Sequence, residues 1–197
     1  MSNIKIRAFT GSGVKTYIPS LAKLRIDVFK EFPFLYAGDM DYEMRYLKKF
    51  TSCKEAIAVI IFDGQKIVGA STGLPLEDES EEIKKTFIEH GSNPADYFYF
   101  GESILIQSYR GRGLGHHFFD IREAHVAHLK RFKHICFCTV IRTQNHPRRP
   151  SDSMPLETFW KKRGFTEHPH FRGTLSWKDL DEEKETAKPM IFWTKDL

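Results

Sequence analysis

A chain of 197 residues with 41% hydrophobic and 14% aromatic content suits one domain with a single sizeable core, so residues 1–197 are read as one unit. No apolar run approaches the roughly 20 residues of a membrane span, and Met1–Lys5 leads into a strand rather than a secretory signal, so a soluble cytoplasmic protein with no membrane partner is expected. The net charge of +4 comes from 30 Lys and Arg interleaved with 26 acidic residues, a spread that argues against a nucleic-acid partner. Cys53, Cys136 and Cys138 are odd in number and lack CxxC spacing, so neither a disulfide framework nor a zinc site is expected.

Alternating elements follow in chain order. Ile4 to Phe9 alternates as a strand, and Val14 to Phe29 places Leu21, Leu24, Val28 and Phe29 at helical spacing. Phe32 to Asp39 breaks that helix with Pro33 and Gly38, and Tyr42 to Phe50 resumes one. Ala56 to Phe62 and Lys66 to Leu76 flank Asp63-Gly64-Gln65 as a hairpin. Glu77 to His90 is acidic and helix-like, an insertion ahead of the strand Tyr97 to Ile106. A Gly-rich turn and a helix to about Phe132 come next. Ile135 to Ile141 reads as a strand, Leu156 to Arg163 as a short helix, and Phe171 to Trp177 and Met190 to Thr194 as two late strands.

The chemistry concentrates at Tyr109-Arg-Gly-Arg-Gly-Leu-Gly-His116. Three glycines in five positions let a backbone approach an anion closely, and a helix starting there directs unpaired amides and its positive dipole end at it. A P-loop would need Lys and then Ser or Thr after its last glycine, where this chain has His116 and His117. A Rossmann fingerprint would need its third glycine one position later. What fits is Arg110, Gly113 and Gly115 between a buried strand and an amphipathic helix. This resembles motif A of the GNAT N-acetyltransferase superfamily, which holds the pyrophosphate of acetyl-coenzyme A.

The order of elements resembles a GNAT domain over nearly the whole chain, and Phe159-Trp160-Lys-Lys-Arg-Gly164-Phe165 resembles the family segment that closes a short helix with Gly-Phe. The resemblance implies an α/β fold with a central mixed, mostly antiparallel sheet of about six to seven strands, splayed at the cofactor site and flanked by about four to five helices. It implies acetyl transfer from acetyl-CoA directly to a primary amine of a small molecule or peptide, in a ternary complex, and is compatible with a homodimer. The backbone of Ile104, Leu105 and Ile106 would pair with the pantetheine arm. The amides of Arg110, Gly111, Arg112, Gly113, Leu114 and Gly115, with His116, would hold the pyrophosphate, with an Arg110 or Arg112 side chain beside a phosphate.

Glu102, near where many GNAT enzymes carry a carboxylate base, is the candidate acceptor of the amine proton. Trp160 stands where the family often places Tyr, so it cannot usefully donate a proton to the leaving thiolate. That feature supports an alternative reading, a non-catalytic acyl-CoA-binding sensor or interaction module. The family's Asn on this helix is also unmatched, Ser153 standing at the corresponding count. The acceptor pocket is expected from the loop Phe32 to Tyr42, the insertion Glu77 to Asn93 and the loop Arg142 to Ser153. Tyr36, Tyr42, Asp39, Asp41 and Glu43 offer rings and carboxylates to a cationic amine, and Arg142 offers a cation to an anionic group. His125 and His128 share a helix without a fitting carboxylate set, so no metal is expected.

Overall fold

The structure is a computed structural model and describes residues 3–151 and 155–197, so Ser153 and the end of the loop begun at Arg142 lie outside the described residues. Seven strands form one sheet in the order β1-β2-β3-β4-β5-β7-β6. They are β1 (Ile4–Thr10), β2 (Ile57–Asp63), β3 (Lys66–Pro75), β4 (Tyr97–Leu105), β5 (His134–Val140), β6 (Thr166–Trp177) and β7 (Thr186–Asp196). Among the described residues five helices accompany them: α1 (Ile18–Phe29), α2 (Met40–Ser52), α3 (Glu81–Glu89), α4 (Leu114–Leu129) and α5 (Glu157–Lys162). Every neighbouring pair is antiparallel except β4 and β5. No helix among the described residues is long and apolar enough to cross a membrane.

Helix and strand bounds follow local chemistry. The stretch expected to be helical from Val14 begins as a 3-10 turn over Gly11–Tyr17, and the α-helix proper starts where Pro19 sits in its first turn, the one place its missing N–H is harmless. Asp39 caps α2 by accepting from the Tyr42 amide at 2.7 Å, and Asp41 and Glu43 occupy the first turn, where acidic groups meet the positive helix end. β2 is apolar at every one of its first five positions because both sheet faces are covered there. The Glu77–His90 stretch carries α3, which packs one face, Ile83, Thr86 and Phe87, against the core. Phe87 of α3 is fully buried, edge-on to Tyr97, Phe171 and Phe192, and closes the end of the sheet where β4 and β5 begin.

Two features of β4 shape the molecule. The parallel pairing with β5 runs only from Tyr97↔His134 to Tyr99↔Cys136; beyond it the strands separate into a fork. In the same stretch the ladder to β3 slips, since Ser71 faces Ser103 and Gly73 faces Phe100, so that Gly101 and Glu102 together oppose Thr72. This is a β-bulge, and it bends and twists the strand. It also resets the side-chain alternation. Tyr97 and Tyr99 point to the α1–α2 face, and the extra residue sends Glu102 and Ile104 to that face as well.

The bulge is held from the opposite face. Arg122 of α4, 1% exposed, donates to the carbonyls of Thr72 at 2.9 Å, Glu102 at 3.3 Å and Phe118 at 3.1 Å, and to Ser103 Oγ at 2.7 Å. Its guanidinium lies 4.0 Å from the Phe100 ring centre. Gly101 is required by close approach, because a Cβ there would meet Thr72 Oγ1 at 2.6 Å.

A second arginine ties the loops at the open end of the sheet. Arg142, expected to meet an anionic part of a substrate, is instead committed within the protein: it donates to the carbonyls of Pro33 and Phe34, each at 2.8 Å, and to both Asp179 oxygens at 2.8 and 2.9 Å. Four of its donors are occupied by these contacts, which corrects the substrate-binding expectation. Lys188 and Glu182 complete the clamp on the β6–β7 loop, where the Glu182 carboxylate receives Lys188 Nζ at 2.7 Å, Thr186 Oγ1 at 2.7 Å and the Asp179 amide at 2.9 Å.

Two outcomes are expected. Arg122→Met keeps apolar bulk but strands buried carbonyls of the bulge, so urea unfolding should show a loss of about 2–4 kcal/mol; a loss under about 0.5 kcal/mol, the usual scatter of neutral surface changes, would refute the role of Arg122. Lys188 hydrogen bonding, above all, holds the Glu182 carboxyl down at about 2. A folded-state value below the unfolded one means stability that is present above the ordinary carboxylate range and lost as pH falls toward 2. Stability measured from pH 5 to 2 should therefore fall more steeply in the parent than in Glu182→Gln, and parallel curves would contradict the assignment.

Candidate active site

The fork between β4 and β5 opens toward the Gly-rich turn, which follows a 3-10 turn at Gln107–Tyr109. Gly111 and Gly113 take φ of 73° and 75°, a left-handed conformation that side-chain-bearing residues resist, and Gly113 is the N-cap of α4. Among the described residues the amides of Gly111, Arg112 and Gly113 donate to no backbone or side-chain group. Together with the Leu114 and Gly115 amides at the start of α4 they present unpaired N–H groups at a helix N-terminus, an arrangement that can receive an anion. Gly115 is different. Its φ is not positive, and a Cβ there would meet nothing within 4 Å, so neither conformation nor packing inside the protein requires glycine. The open space lies directly beside a helix N-terminus, where an anion would be favoured.

The two arginines of the turn build it rather than reach outward. Arg110 donates to the Leu105 carbonyl from Nε at 3.0 Å and Nη2 at 2.9 Å, and pairs with Glu31 at 2.6 Å. Arg112 donates to the Ser108 carbonyl at 2.7 Å and lies 4.9 Å from the Tyr109 ring centre. Tyr109 in turn donates to Asp63 Oδ2 at 2.8 Å, anchoring the turn to the β2–β3 hairpin.

The bulge changes which backbone groups face the fork. The Ile106 amide donates to Val68 of β3 at 3.0 Å, so alternation turns Ile104 and Ile106 toward β3. Ser103 and Leu105 therefore direct their amides into the fork, with the Leu105 carbonyl capped by Arg110. Of the three strand residues Ile104, Leu105 and Ile106, Leu105 alone directs its amide into the fork, and Ser103, which the sequence did not single out, does so as well.

On the α4–α5 face, α5 closes over the β5 arm of the fork. His116 meets the Phe159 ring edge-on at 5.0 Å, and half-buried Trp160 lies edge-on to Phe137 at 5.0 Å and Trp193 at 5.2 Å. The indole thus lines the wall of the cleft and offers no acid.

On the α1–α2 face, Glu102 is 8% exposed and does not stand alone. Arg25 of α1 bonds Glu102 through Nη1 and Glu43 of α2 through Nε, both very short contacts. The guanidinium lies 4.4 Å from the Tyr46 ring centre and 4.9 Å from that of Phe29. Burial opposes its charge, but Glu102, Tyr46 and Glu43 more than offset this and raise its pKa. Glu43 is fully buried, and its Oε1 has no hydrogen-bond partner among the described residues. Tyr36 lies beside it, with a phenol pKa raised by burial and then by the Glu43 charge. Tyr42 is 49% exposed and stacked on Tyr46 at 6.5 Å, at the rim of the same cluster.

At the base of the fork, the Tyr99 hydroxyl and Cys138 Sγ are 3.1 Å apart. Burial pushes the Cys138 thiol up to about 12, so it stays protonated and unsuited to carry an acyl group. A cavity of about 550 Å³ lined by Tyr97, His134, Thr166, Thr194 and Lys195 lies where β4 and β5 are paired, at the other end of β4 from the Gly-rich turn. Among the described residues no cluster of three His, Cys, Asp or Glu side chains could hold a metal ion.

No family model matches the chain, and no curated protein matches it in sequence. Solved structures do match. An acetyltransferase of the GNAT family from Streptococcus pneumoniae superposes with a TM-score of 0.60 at 14% identity, covering 99% of this chain and 100% of that one. A ribosomal-protein-alanine N-acetyltransferase from Brucella melitensis gives 0.60 at 13%, covering 98% of this chain and 99% of that one. NAA60 of Arabidopsis thaliana, in complex with a bisubstrate analogue, gives 0.59 at 13%, covering 98% of each. The forked seven-stranded sheet with its amide-lined turn is the fold of the GNAT acetyltransferases.

Proposed function

We propose that the protein is an N-acetyltransferase that moves the acetyl group of acetyl-CoA directly to a primary amine of a small molecule or peptide. The observation that carries this reading is Gly115, a glycine that the protein's own conformation and packing leave unexplained, at a helix start ringed by unpaired amides and opening on a forked sheet. Acetyl-CoA supplies the activated acyl thioester. The amides of Gly111 to Gly115 would hold its pyrophosphate, Ser103 and Leu105 would bond its pantetheine arm, and His116, Phe159 and Trp160 would wall the cleft. A fork-facing amide of β4 also supplies a donor for charge developing on a carbonyl oxygen.

An alkylammonium has a pKa of about 10.4, so transfer at neutral pH needs a proton acceptor. Glu102 takes this role, directly or through water, from its place on the bulge beside the fork, with Arg25 fixing one of its oxygens. The unpaired thiols of Cys53, Cys136 and Cys138 fit a reducing, cytoplasmic setting. The absence of an acid at Trp160 favours a second reading, an acyl-CoA sensor. Thiol release with amine acceptors separates the two.

Gly115→Ala should act in opposite directions on stability and binding. Replacing a helical glycine where space is open should stabilise the free protein by up to about 1 kcal/mol. The added methyl enters the proposed pyrophosphate position, so acetyl-CoA affinity measured by calorimetry should fall at least about tenfold. Unchanged affinity in the folded variant would refute the cofactor site. Glu102→Gln should slow amine acetylation about a hundredfold at neutral pH with acetyl-CoA affinity nearly unchanged. Part of the loss should return at high pH, where more amine is already neutral. Matching pH–rate profiles would remove Glu102 from the chemistry.

A further inference from the structure

We infer that Glu43, reached past Tyr36, is the receptor for the acceptor's ammonium group, and that the site consequently favours amines lacking a carboxylate on the amine-bearing carbon. This rests on the acetyltransferase reading above and names the acceptor class for that site.

The inference starts from charge and hydrogen bonding. Two buried carboxylates, Glu43 and Glu102, share the single guanidinium of Arg25. Lys49, the next cation on α2, is paired with Glu79 at 2.6 Å. Arg122 lies on the other face of β4 and donates to carbonyls and a hydroxyl, with no carboxylate partner among the described residues. The Arg25 cluster thus sets two carboxylates against one guanidinium. Buried charges are normally paired, and a buried polar atom without a partner is uncommon. Glu43 Oε1 is such an atom, in a residue with 0% exposure. The half-buried Tyr36 phenol lies against Glu43, whose carboxylate helps hold the phenol pKa up, so Tyr36 is the neighbour that an incoming ammonium has to displace.

An incoming ammonium supplies both missing elements, a positive charge and N–H donors. Tyr36 lies against Glu43, and Tyr46, 4.4 Å from the Arg25 guanidinium, stacks on Tyr42, an aromatic setting that suits a cation. A carboxylate on the adjacent carbon would bring a second negative charge to a cluster already in excess. Arg142, the cation that could have received it, is committed to Asp179 and two carbonyls. Met40, Tyr42 and Leu180 are exposed at the same loop end, Leu180 bonded to Leu35 beside Tyr36, and they suit an acceptor with an apolar body.

The test is thiol release from acetyl-CoA with a panel of primary amines, each paired with its α-carboxylate and the corresponding amide, 2-phenylethylamine with phenylalanine and phenylalaninamide among them. The amine and the amide should exceed the carboxylate by at least about tenfold in kcat/KM, the scale of one lost or opposed charge contact. Glu43→Gln should raise the amine KM at least about tenfold and narrow that preference while acetyl-CoA affinity stays unchanged. Tyr36→Phe, which keeps the ring and disturbs Arg25 less, should lower the amine KM or leave it unchanged, because the carboxylate is then covered less firmly. Equal rates for amine and carboxylate partners, or an unaltered amine KM in a folded Glu43→Gln, would overturn the assignment alone. Bound acetyl-CoA with no thiol release from any acceptor would overturn the transfer reading itself, and the assignment with it.

Discussion

One extra residue in β4 sets the geometry on which everything else in this molecule rests. Because Gly101 and Glu102 together face Thr72, the strand bends away from β5, the sheet forks, and the carboxylate of Glu102 turns to the α1–α2 face. A bulge leaves backbone groups without ladder partners, and Arg122 supplies the missing donors from α4. The helix whose N-terminus forms the anion cradle is thus bolted to the strand that lines the fork. The Gly-rich turn and the fork are thereby joined through one buried side chain, as a site for two ends of one long ligand would require.

Arginines build this site from the inside. Arg110 caps the Leu105 carbonyl, Arg112 holds Ser108, Arg122 holds the bulge and Arg142 holds the α1–α2 and β6–β7 loops against each other. Each satisfies carbonyls in irregular backbone, where no ladder does so. A guanidinium has five donors in a fixed plane and suits several carbonyls at once. The proposed recognition of an anion therefore rests on main-chain amides, and that of a cation on the carboxylates around Arg25.

The fold was legible in the sequence because its signals are local: the alternation of strands, the Asp63-Gly64 turn, and the spacing of Arg110, Gly113 and Gly115 before a helix. Glu102 could be singled out for the same reason, since it stands on the strand leading to the turn. What could not be read depends on register and distant partners. The bulge shifts which of Ser103 to Ile106 face the fork, and no residue pattern in β4 announces it apart from Gly101. Glu43 and Arg25 meet Glu102 only because α1 and α2 pack on that face, Arg25 and Glu102 being 77 positions apart in sequence. The acidic stretch before β4 looks peripheral in composition, yet Phe87 fixes it to the core. Arg142 looked available for a ligand because Asp179, its partner, lies 37 residues away.

Amide hydrogen exchange with and without acetyl-CoA tests the central claim most directly, because the proposed binding groups are backbone N–H groups at known positions. Binding through the fork should slow exchange at Gly111, Arg112 and Gly113 and at Ser103 and Leu105, and leave the far end of the sheet around Tyr97, His134 and Thr194 unchanged. Protection confined to that far end, or no protection at the Gly-rich turn in a saturated complex, would contradict it.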